Sequence, residues 1–288
     1  MKYIKSNVHK IVGVGHMFHN WMLGYIISKK LNIDFVYSSL NATVRNPKTL
    51  NETWDEFLGF QKNIKEIHSF SNHIELPFIE NNTFFLNPSK NEFDLKFKEW
   101  YNIIDNHEDN TLFKLPPGSF VNVFDIEIYN NIEKLYQFYW ENKSKFNFKN
   151  DKINAVMHIR RGDINLDEHS FRWISFDELL EKREYLRKEH KNIHFTILSE
   201  TGYKHAQLNT ENTSTGHYKK NSFDIFKDSD TTLILNYCDL QCFHMMCSAD
   251  ILITAPSAFS IFASYLNKTK EQYHLINKKC GESRPAVL

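Results

Sequence analysis

The stretch INAVMHIRRGD, from Ile153 to Asp163, joins an apolar run to a cluster of charged residues. The run INAVMHI has the composition of a strand that is buried on both faces, as in a parallel sheet. It ends at Arg160 and Arg161, and Gly162 lets the backbone turn after them. Because neighbouring residues on a strand point to opposite faces, a packed sheet cannot easily hide both guanidinium groups. We favour an anion at this strand end over the alternatives, an Arg–Asp surface network or a solvated loop.

Strand and helix patterns alternate on both sides of this stretch, which predicts an α/β fold with parallel sheets. Toward the C-terminus, strands are expected at 193–198, 231–235, 250–254 and 273–276, and helices at 175–190, 239–248 and 257–266. Ser175 with Glu178 forms a capping-box pattern at the first of these helices. Toward the N-terminus, KIVGV (10–14) and IDFVY (33–37) read as strands flanking a helix at 15–31. Between 41 and 148 the pattern is weaker, with helices expected at 94–104 and 130–140. The polar stretch 143–152 is the best linker candidate, so we expect two Rossmann-like α/β domains, 1–149 and 150–288.

Composition narrows the classes of partner. The chain has 288 residues, 41% of them hydrophobic and 24% charged, which is typical of a globular protein. Lys+Arg and Asp+Glu both total 35, so no overall basic field directs the protein to nucleic acid or a membrane surface. The sequence shows neither a secretory signal nor a membrane span, and its four cysteines are too few for a disulfide scaffold. We therefore expect a cytoplasmic protein.

The carboxyl ends of strands in open parallel sheets are where ligands bind. His158, Arg160 and Arg161 lie at such an end. An arginine presents a planar fork of donors that matches phosphate oxygens, and two forks can neutralise a diphosphate without a metal. Asp163 could orient one guanidinium group or cap the next turn.

A second anion-binding candidate is ITAPSAFSIF, from Ile253 to Phe262, where a strand meets a helix. Helix N-termini offer unpaired N–H groups and a positive dipole end, on which a phosphate can rest. Ser257 and Ser260 add hydroxyl donors. The alternative is that Ser257 only caps the helix.

The turn Gly13-Val14-Gly15 weakly indicates dinucleotide binding. The third glycine of GxGxxG is replaced by Phe18, and the acid nearest to the ribose-binding position, Asp34, opens the second strand instead of closing it. We therefore expect only a tight turn close to a sugar or nucleotide. His16, His19 and Asn20 follow on its helix and could hydrogen-bond a ligand, although packed or solvated side chains are the commoner outcome.

Acids after the arginine pair are candidates for a general base. Asp167 and Glu168 could reach an acceptor hydroxyl near the phosphate site, although most carboxylates of this kind do no catalysis. No metal site is expected. Cys238, Cys242, His244 and Cys247 crowd one helix without a second ligand pair, and the acids at 228–230 read as a solvated turn.

Three blocks in order resemble the fucosyltransferase superfamily that carries the HxRRxD motif, which includes α1,2-, α1,6- and protein O-fucosyltransferases. The blocks are GVGHMFHNWMLGYIISKKLNI, HIRRGD and MMCSADILITAPSAFSIFASYL. The resemblance implies a GT-B fold, with two Rossmann-like domains whose parallel sheets face a central cleft. It also implies GDP-fucose as donor substrate, a glycan hydroxyl as acceptor, and inverting transfer that requires no metal or other cofactor.

The resemblance also assigns roles by position. Arg160 and Arg161 would bind the β-phosphate, with Arg161 the catalytic one, while His158 and Asp163 would support the nucleotide pocket. The serines at 257 and 260 would face the donor, Glu168 would be the base, and Gly13, Gly15, His16 and Asn20 would line the donor or acceptor side.

Alternatives stay open for the glycosidic linkage, for the donor sugar and for the class of protein. HIRRGD looks most like the α1,2 branch, whereas Glu168 falls where the α1,6 branch carries its proposed catalytic carboxylate. Another GDP-sugar could be the donor, because nothing in these residues reads the fucose methyl group. A catalytically silent nucleotide- or glycan-binding protein is a second alternative, and a nicotinamide-dependent oxidoreductase, suggested only by the GVG turn, is a third.

Overall fold

The structure is a computed structural model, and it divides into two compact units. It describes residues 1–7, 13–40, 42–45, 47, 51–64, 69–77, 90–116, 132–141, 143–161, 164, 172–201, 204–205, 210–211, 220–267, 269 and 271–275. The first unit comprises Met1–Thr43 and Asn51–Lys143, and the second comprises Val44–Leu50 and Ser144–Leu288. The short segment Val44–Leu50 thus groups with the second unit although it lies early in the sequence.

The first unit contains a parallel sheet flanked by helices. Its strands are β1 (Tyr3–Lys5), β2 (Asp34–Phe35), β3 (Asn72–Glu75) and β4 (Thr111–Lys114), in the order β2-β1-β4-β3. Its described helices are α1 (Val14–Leu31), α2 (Trp54–Leu58), α3 (Lys90–Asp105) and α4 (Glu133–Trp140), with a 3-10 turn at Phe60–Lys62.

Helix α1 is held by aromatic packing. Trp21 is 1% exposed, stacks on Tyr25 at 5.8 Å between ring centroids, and meets the edge of Phe35 at 4.9 Å. The helix ends where Asn32 adopts the left-handed conformation, with φ of 52°. Asparagine tolerates this conformation better than most residues, so the sequence itself places the stop there.

The second unit contains a five-stranded sheet with helices on both faces. Its strands are β5 (Ile153–Ile159), β6 (Ile193–Ser199), β9 (Thr231–Leu235), β10 (Ile251–Thr254) and β11 (Glu271–His274), all parallel, in the order β11-β10-β5-β6-β9. Its described helices are α5 (Phe176–Glu189), α6 (Asp239–Ser248) and α7 (Ala258–Leu266), with a 3-10 segment at Lys220–Phe226. Strands β7 (Lys204–His205) and β8 (Thr210–Glu211) form a separate antiparallel pair.

The two faces of β5 meet different helices. Ala155, Met157 and Ile159 belong to a buried core that includes Leu179 and Leu186 of α5. The alternate residues of the strand face the other way, where α6 and α7 lie and where the ring centroid of His158 is 5.8 Å from that of Phe259 on α7. This alternation decides where the side chains at the strand end point.

The structure confirms the predicted α/β class with two parallel sheets, and most of its elements. Whether the sheets face a central cleft stays a prediction. One expected element is corrected: the strand expected at 10–14 overlaps α1, which begins at Val14. Residues 10–12 lie outside the described residues. Strand β1 lies earlier, at Tyr3–Lys5.

Within the described ranges, no helix has both the length and the apolar character needed to span a membrane.

Candidate functional site

The sheet of the second unit reverses its strand order between β5 and β10. From β5 the chain proceeds outward to β6 and β9, then returns to β10 on the other side of β5 and proceeds outward again to β11. In open parallel sheets the crevice outside the carboxyl ends of strands at such a switch point is the usual ligand site. The fold therefore brings the two predicted anion-binding segments, after Ile159 and after Thr254, to adjacent positions on one sheet edge.

The two arginines after β5 occupy different environments. Arg160 is partly exposed, whereas Arg161 is only 2% exposed. Continuing the alternation of the strand assigns Arg160 to the face of His158 and Arg161 to the face of α5. The two arginines thus differ in exposure, and the expectation that both guanidinium groups meet one anion stays a prediction.

Arg161 lies between two aromatic rings. Its Cζ is 4.0 Å from the ring centroid of Trp173 and 4.7 Å from that of Phe176, at the start of α5. Its Nη1 donates to the Arg160 carbonyl at 2.9 Å, and its Nη2 donates to the Ile174 carbonyl at 2.5 Å. Stacking on aromatic faces while donating to fixed acceptors is a combination suited to a guanidinium group and not to a lysine amine.

Three successive backbone carbonyls at the end of β5 are held in place. The Ser199 hydroxyl donates to the Ile159 carbonyl at 2.7 Å, Arg161 donates to the Arg160 carbonyl at 2.9 Å, and the Ile164 amide donates to the Arg161 carbonyl at 2.8 Å. The peptide groups on both sides of the Arg160 side chain are thereby fixed. A group held this way needs little reorganisation when it meets an anion.

The turn after β10 supplies the N-terminus of α7. Ser257 occupies the N-cap position and is 4% exposed, but its side chain makes no capping hydrogen bond. The Ser260 hydroxyl, fully buried, donates to the carbonyls of Ala255 and Ser257 at 3.3 and 3.2 Å. Ser260 thus braces the turn, and Ser257 lies buried where α7 begins.

Asp163 and Glu168, predicted as a supporting acid and as the base, lie outside the described residues, as does Asp167.

The predicted ligand residues of the first unit are mostly interior. Gly15 is buried, Asn20 is 0% exposed, and His16 is partly exposed. Gly13 is the N-cap of α1 and has φ of −65°, which any residue can adopt. Among the residues that the structure describes, nothing lies within 4 Å of where a Cβ at Gly13 would be. Burial, with a smaller contribution from His16, lowers the pKa of His19 to about 3, so this imidazole is neutral at ordinary pH.

A charged cluster at the same edge of the second sheet was not predicted. Nη1 of Arg45, from the early segment that groups with this unit, lies 2.9 Å from Oε2 of Glu200, just after β6. The Arg45 carbonyl accepts from the Asp239 amide at 3.2 Å. Burial raises the pKa of Asp239 to about 7. Sequence patterns did not reveal this cluster because its members are separated by about 155 and 40 residues.

The acids at 228–230 are ion-paired. Arg187 of α5 donates to Asp228 at 2.8 Å and to Asp230 at 2.5 and 2.8 Å. The segment is a turn in which Asp228 and Ser229 are exposed, as expected, and these ion pairs were not predicted. Among the residues that the structure describes, no group of three or more His, Cys, Asp or Glu side chains is arranged to hold a metal ion.

No protein-family model and no curated protein matches the chain. Among solved structures, the chain is similar to POFUT1 in complex with GDP-fucose and to its apo form, each with a TM-score of 0.49 and 10% identity over 95% of this chain and 97% of that chain. A POFUT1 complex with GDP gives a TM-score of 0.44 and 8% identity over 95% of this chain and 98% of that chain. Likeness at this level carries no argument about activity, which must rest on the chain's own residues.

Proposed function

We propose that this chain is a glycosyltransferase that binds a GDP-sugar, GDP-fucose by its resemblance to HxRRxD fucosyltransferases, and transfers the sugar to a glycan hydroxyl. One observation carries the proposal: the arginine after β5 and the N-terminus of α7 flank the switch point of a parallel sheet. The formal net charge of the chain is zero, so an anionic donor has to be recognised by such local groups.

The chemistry of the edge suits a diphosphate. Arg160 is partly exposed, follows the buried strand directly and can donate two parallel hydrogen bonds to phosphate oxygens. The N-terminus of α7, with its positive dipole end, and the Ser257 hydroxyl can receive the second phosphate. His158 lies on the face shared with α7, where its ring contacts that of Phe259.

For transfer, we propose an inverting displacement. The acceptor hydroxyl attacks the anomeric carbon on the face opposite the diphosphate, the C–O bond to the β-phosphate breaks, and GDP leaves with the bonding electrons. Negative charge grows on the β-phosphate, where Arg160 and the helix N–H groups stabilise it more strongly than in the ground state. These donors supply the stabilisation that a cation would otherwise give, so we propose metal-independent transfer. Glu168 is the proposed base, with α1,2 or α1,6 linkage undecided.

Calorimetric titration without divalent metal tests the donor site. GDP, GDP-fucose, GDP-mannose, UDP and NAD are titrated into the wild type, Arg160→Ala and Lys152→Ala. Lys152 is a matched control, because it is an exposed cation just before the amino end of the same strand. We expect GDP to bind, and Arg160→Ala to weaken binding by roughly 10- to 100-fold, since a hydrogen bond to a charged group is worth about 1.5–3 kcal/mol.

Each other outcome has a definite meaning. Equal GDP affinity in Arg160→Ala and wild type would place the anion elsewhere. Binding of NAD but not GDP would favour the oxidoreductase alternative. GDP binding without any turnover of GDP-fucose across an acceptor panel would favour the catalytically silent binding protein. Turnover of GDP-mannose alone would identify GDP-mannose, and not GDP-fucose, as the donor.

A further inference from the structure

We propose that Arg161 is a positioning residue and that Trp173 completes its site, so that the two together fix Arg160 for phosphate binding. The identity of the anion in this inference rests on the proposed function. The contacts of Arg161 and Trp173 do not depend on that function. It replaces the role expected for Arg161 from the sequence, direct contact with the β-phosphate.

The first argument is the burial of Arg161. A side chain that is 2% exposed, with aromatic rings 4.0 and 4.7 Å from its Cζ, does not reach a ligand at the sheet edge without leaving that site. Leaving would expose an aromatic pocket and break two hydrogen bonds to carbonyls. A buried donor or acceptor left without its partner is costly, so the interior position is the resting position of this guanidinium group.

The second argument is what Arg161 joins. Nη1 binds the Arg160 carbonyl and Nη2 binds the Ile174 carbonyl, so one side chain ties the start of the segment 161–174 to its end. The Arg161 carbonyl accepts from the Ile164 amide at 2.8 Å, so the backbone carbonyl of Arg161 is also bonded. Because the peptide after Arg160 is one of the bonded groups, the direction of the Arg160 side chain depends on Arg161.

The third argument is the chemistry that Trp173 provides. Indole is the aromatic ring that binds cations best, and here it covers one face of the guanidinium group while Phe176 contacts it at 4.7 Å. The ring therefore compensates part of the cost of burying the guanidinium charge. Removing the ring should loosen Arg161 without touching the anion site.

The test uses two readouts on the intact chain: GDP affinity by calorimetry, and hydrogen exchange of a peptide that contains the Ile164 amide. The variants are Trp173→Ala, Trp173→Phe, Arg161→Lys and Arg160→Ala. We expect Trp173→Ala to speed exchange at Ile164 and to weaken GDP binding by about 3- to 10-fold, and Trp173→Phe to restore most of both. Arg161→Lys keeps the charge but loses the fork, so it should resemble Trp173→Ala. Arg160→Ala should weaken GDP binding most and leave exchange at Ile164 unchanged.

Two results would overturn the inference. One is Arg161→Lys or Trp173→Ala with wild-type exchange at Ile164. The other is a loss of GDP affinity in Arg161→Lys equal to that in Arg160→Ala with exchange unchanged, which would mark Arg161 as a direct ligand. Failure of the proposed function is distinguishable: wild-type protein would not bind GDP, while the exchange measurements would still confirm or refute the tie between the segment ends. Thermal unfolding of each variant identifies any that fails to fold, and Trp173→Phe and Arg161→Lys are conservative enough to keep the test available.

Discussion

Replacing Asp239 by asparagine should remove a loss of stability that the wild type shows as pH rises. Asp239 lies in the first turn of α6, and burial raises its pKa from 3.8 to about 7, although hydrogen bonds from the backbone of Arg45 and Leu240 and the charge of Arg45 oppose the shift. In the described part of the structure, its Oδ1 is buried without a hydrogen-bond partner. The folded protein therefore favours the protonated acid over the carboxylate.

The sign follows from proton uptake. Between pH 4 and 7 the folded chain keeps a proton on Asp239 that the unfolded chain has already released, so stability falls as pH rises through this interval. The shift of roughly 3 units corresponds to at most about 4 kcal/mol, at 1.36 kcal/mol per unit. Above pH 7 the loss is complete and the curve levels off. An asparagine at this position carries no charge and should be free of the effect.

Urea unfolding at pH 5, 6, 7 and 8.5 measures the effect in the wild type and in Asp239→Asn. A matched control is Asp177→Asn, which changes an exposed aspartate in the first turn of α5. We expect the free energy of unfolding of wild type and Asp177→Asn to decline in parallel with pH, while that of Asp239→Asn declines less and exceeds wild type at pH 8.5. Parallel curves for wild type and Asp239→Asn would show that the carboxyl is solvated and that the reasoning fails.

Further variants test packing, capping and acid sensitivity. Gly24→Ala places a Cβ in steric overlap with the Ser6 hydroxyl and 2.8 Å from a Phe35 ring carbon, so we expect the free energy of unfolding in urea to fall by about 1–3 kcal/mol. Changing Ser6 to glycine as well should recover part of the loss, and an unchanged midpoint would contradict the packing. Ser175→Ala removes the capping hydrogen bond that the Glu178 amide donates to the Ser175 hydroxyl, and should lower the free energy of unfolding by about 1 kcal/mol. Ser175→Asp is the control variant, because its side chain can still accept this bond. Because the pKa of His19 is lowered to about 3, the stability that its neutral form contributes above pH 6.5 is lost as pH falls toward 3. In an acid titration followed by circular dichroism, a His19→Gln variant that folds should therefore show a weaker decline of stability than the wild type.

Local sequence signals predicted the second unit well. The capping box of Ser175 with Glu178 marks the start of α5, and the apolar run of β5 ends at Ile159 as expected. The first strand was missed because Tyr3–Lys5 is short and mostly half-buried, and its identity as a strand comes from pairing with β2 and β4. Pairing over such distances leaves no periodic pattern in so few residues.

In the candidate site, too, local sequence signals predicted one part, while contacts between separated residues determined the rest. The sequence predicted that a packed sheet could not easily hide both Arg160 and Arg161, and both residues lie beyond Ile159, the last residue of β5. It could not predict that Trp173, about a dozen residues away, would cover one guanidinium group beyond the strand end. Aromatic and carbonyl partners in the following segment made an interior site for a charge, and nothing in the spacing of RRGD indicates such partners.

Arg160 and Arg161 lie in different environments, and this bears on the proposed anion site. Arg161 is bonded to two carbonyls inside the protein, and Arg160 is the partly exposed member of the pair. A helix N-terminus contributes about 0.3–1 kcal/mol toward an anion, and up to about 2 kcal/mol when partly buried. A charged hydrogen bond contributes about 1.5–3 kcal/mol. In the proposed site Arg160 therefore makes the larger single contribution, and we propose that Arg161 sets its direction. The second arginine of HIRRGD then serves the first, which explains why a chain would place two cations side by side at the end of a buried strand.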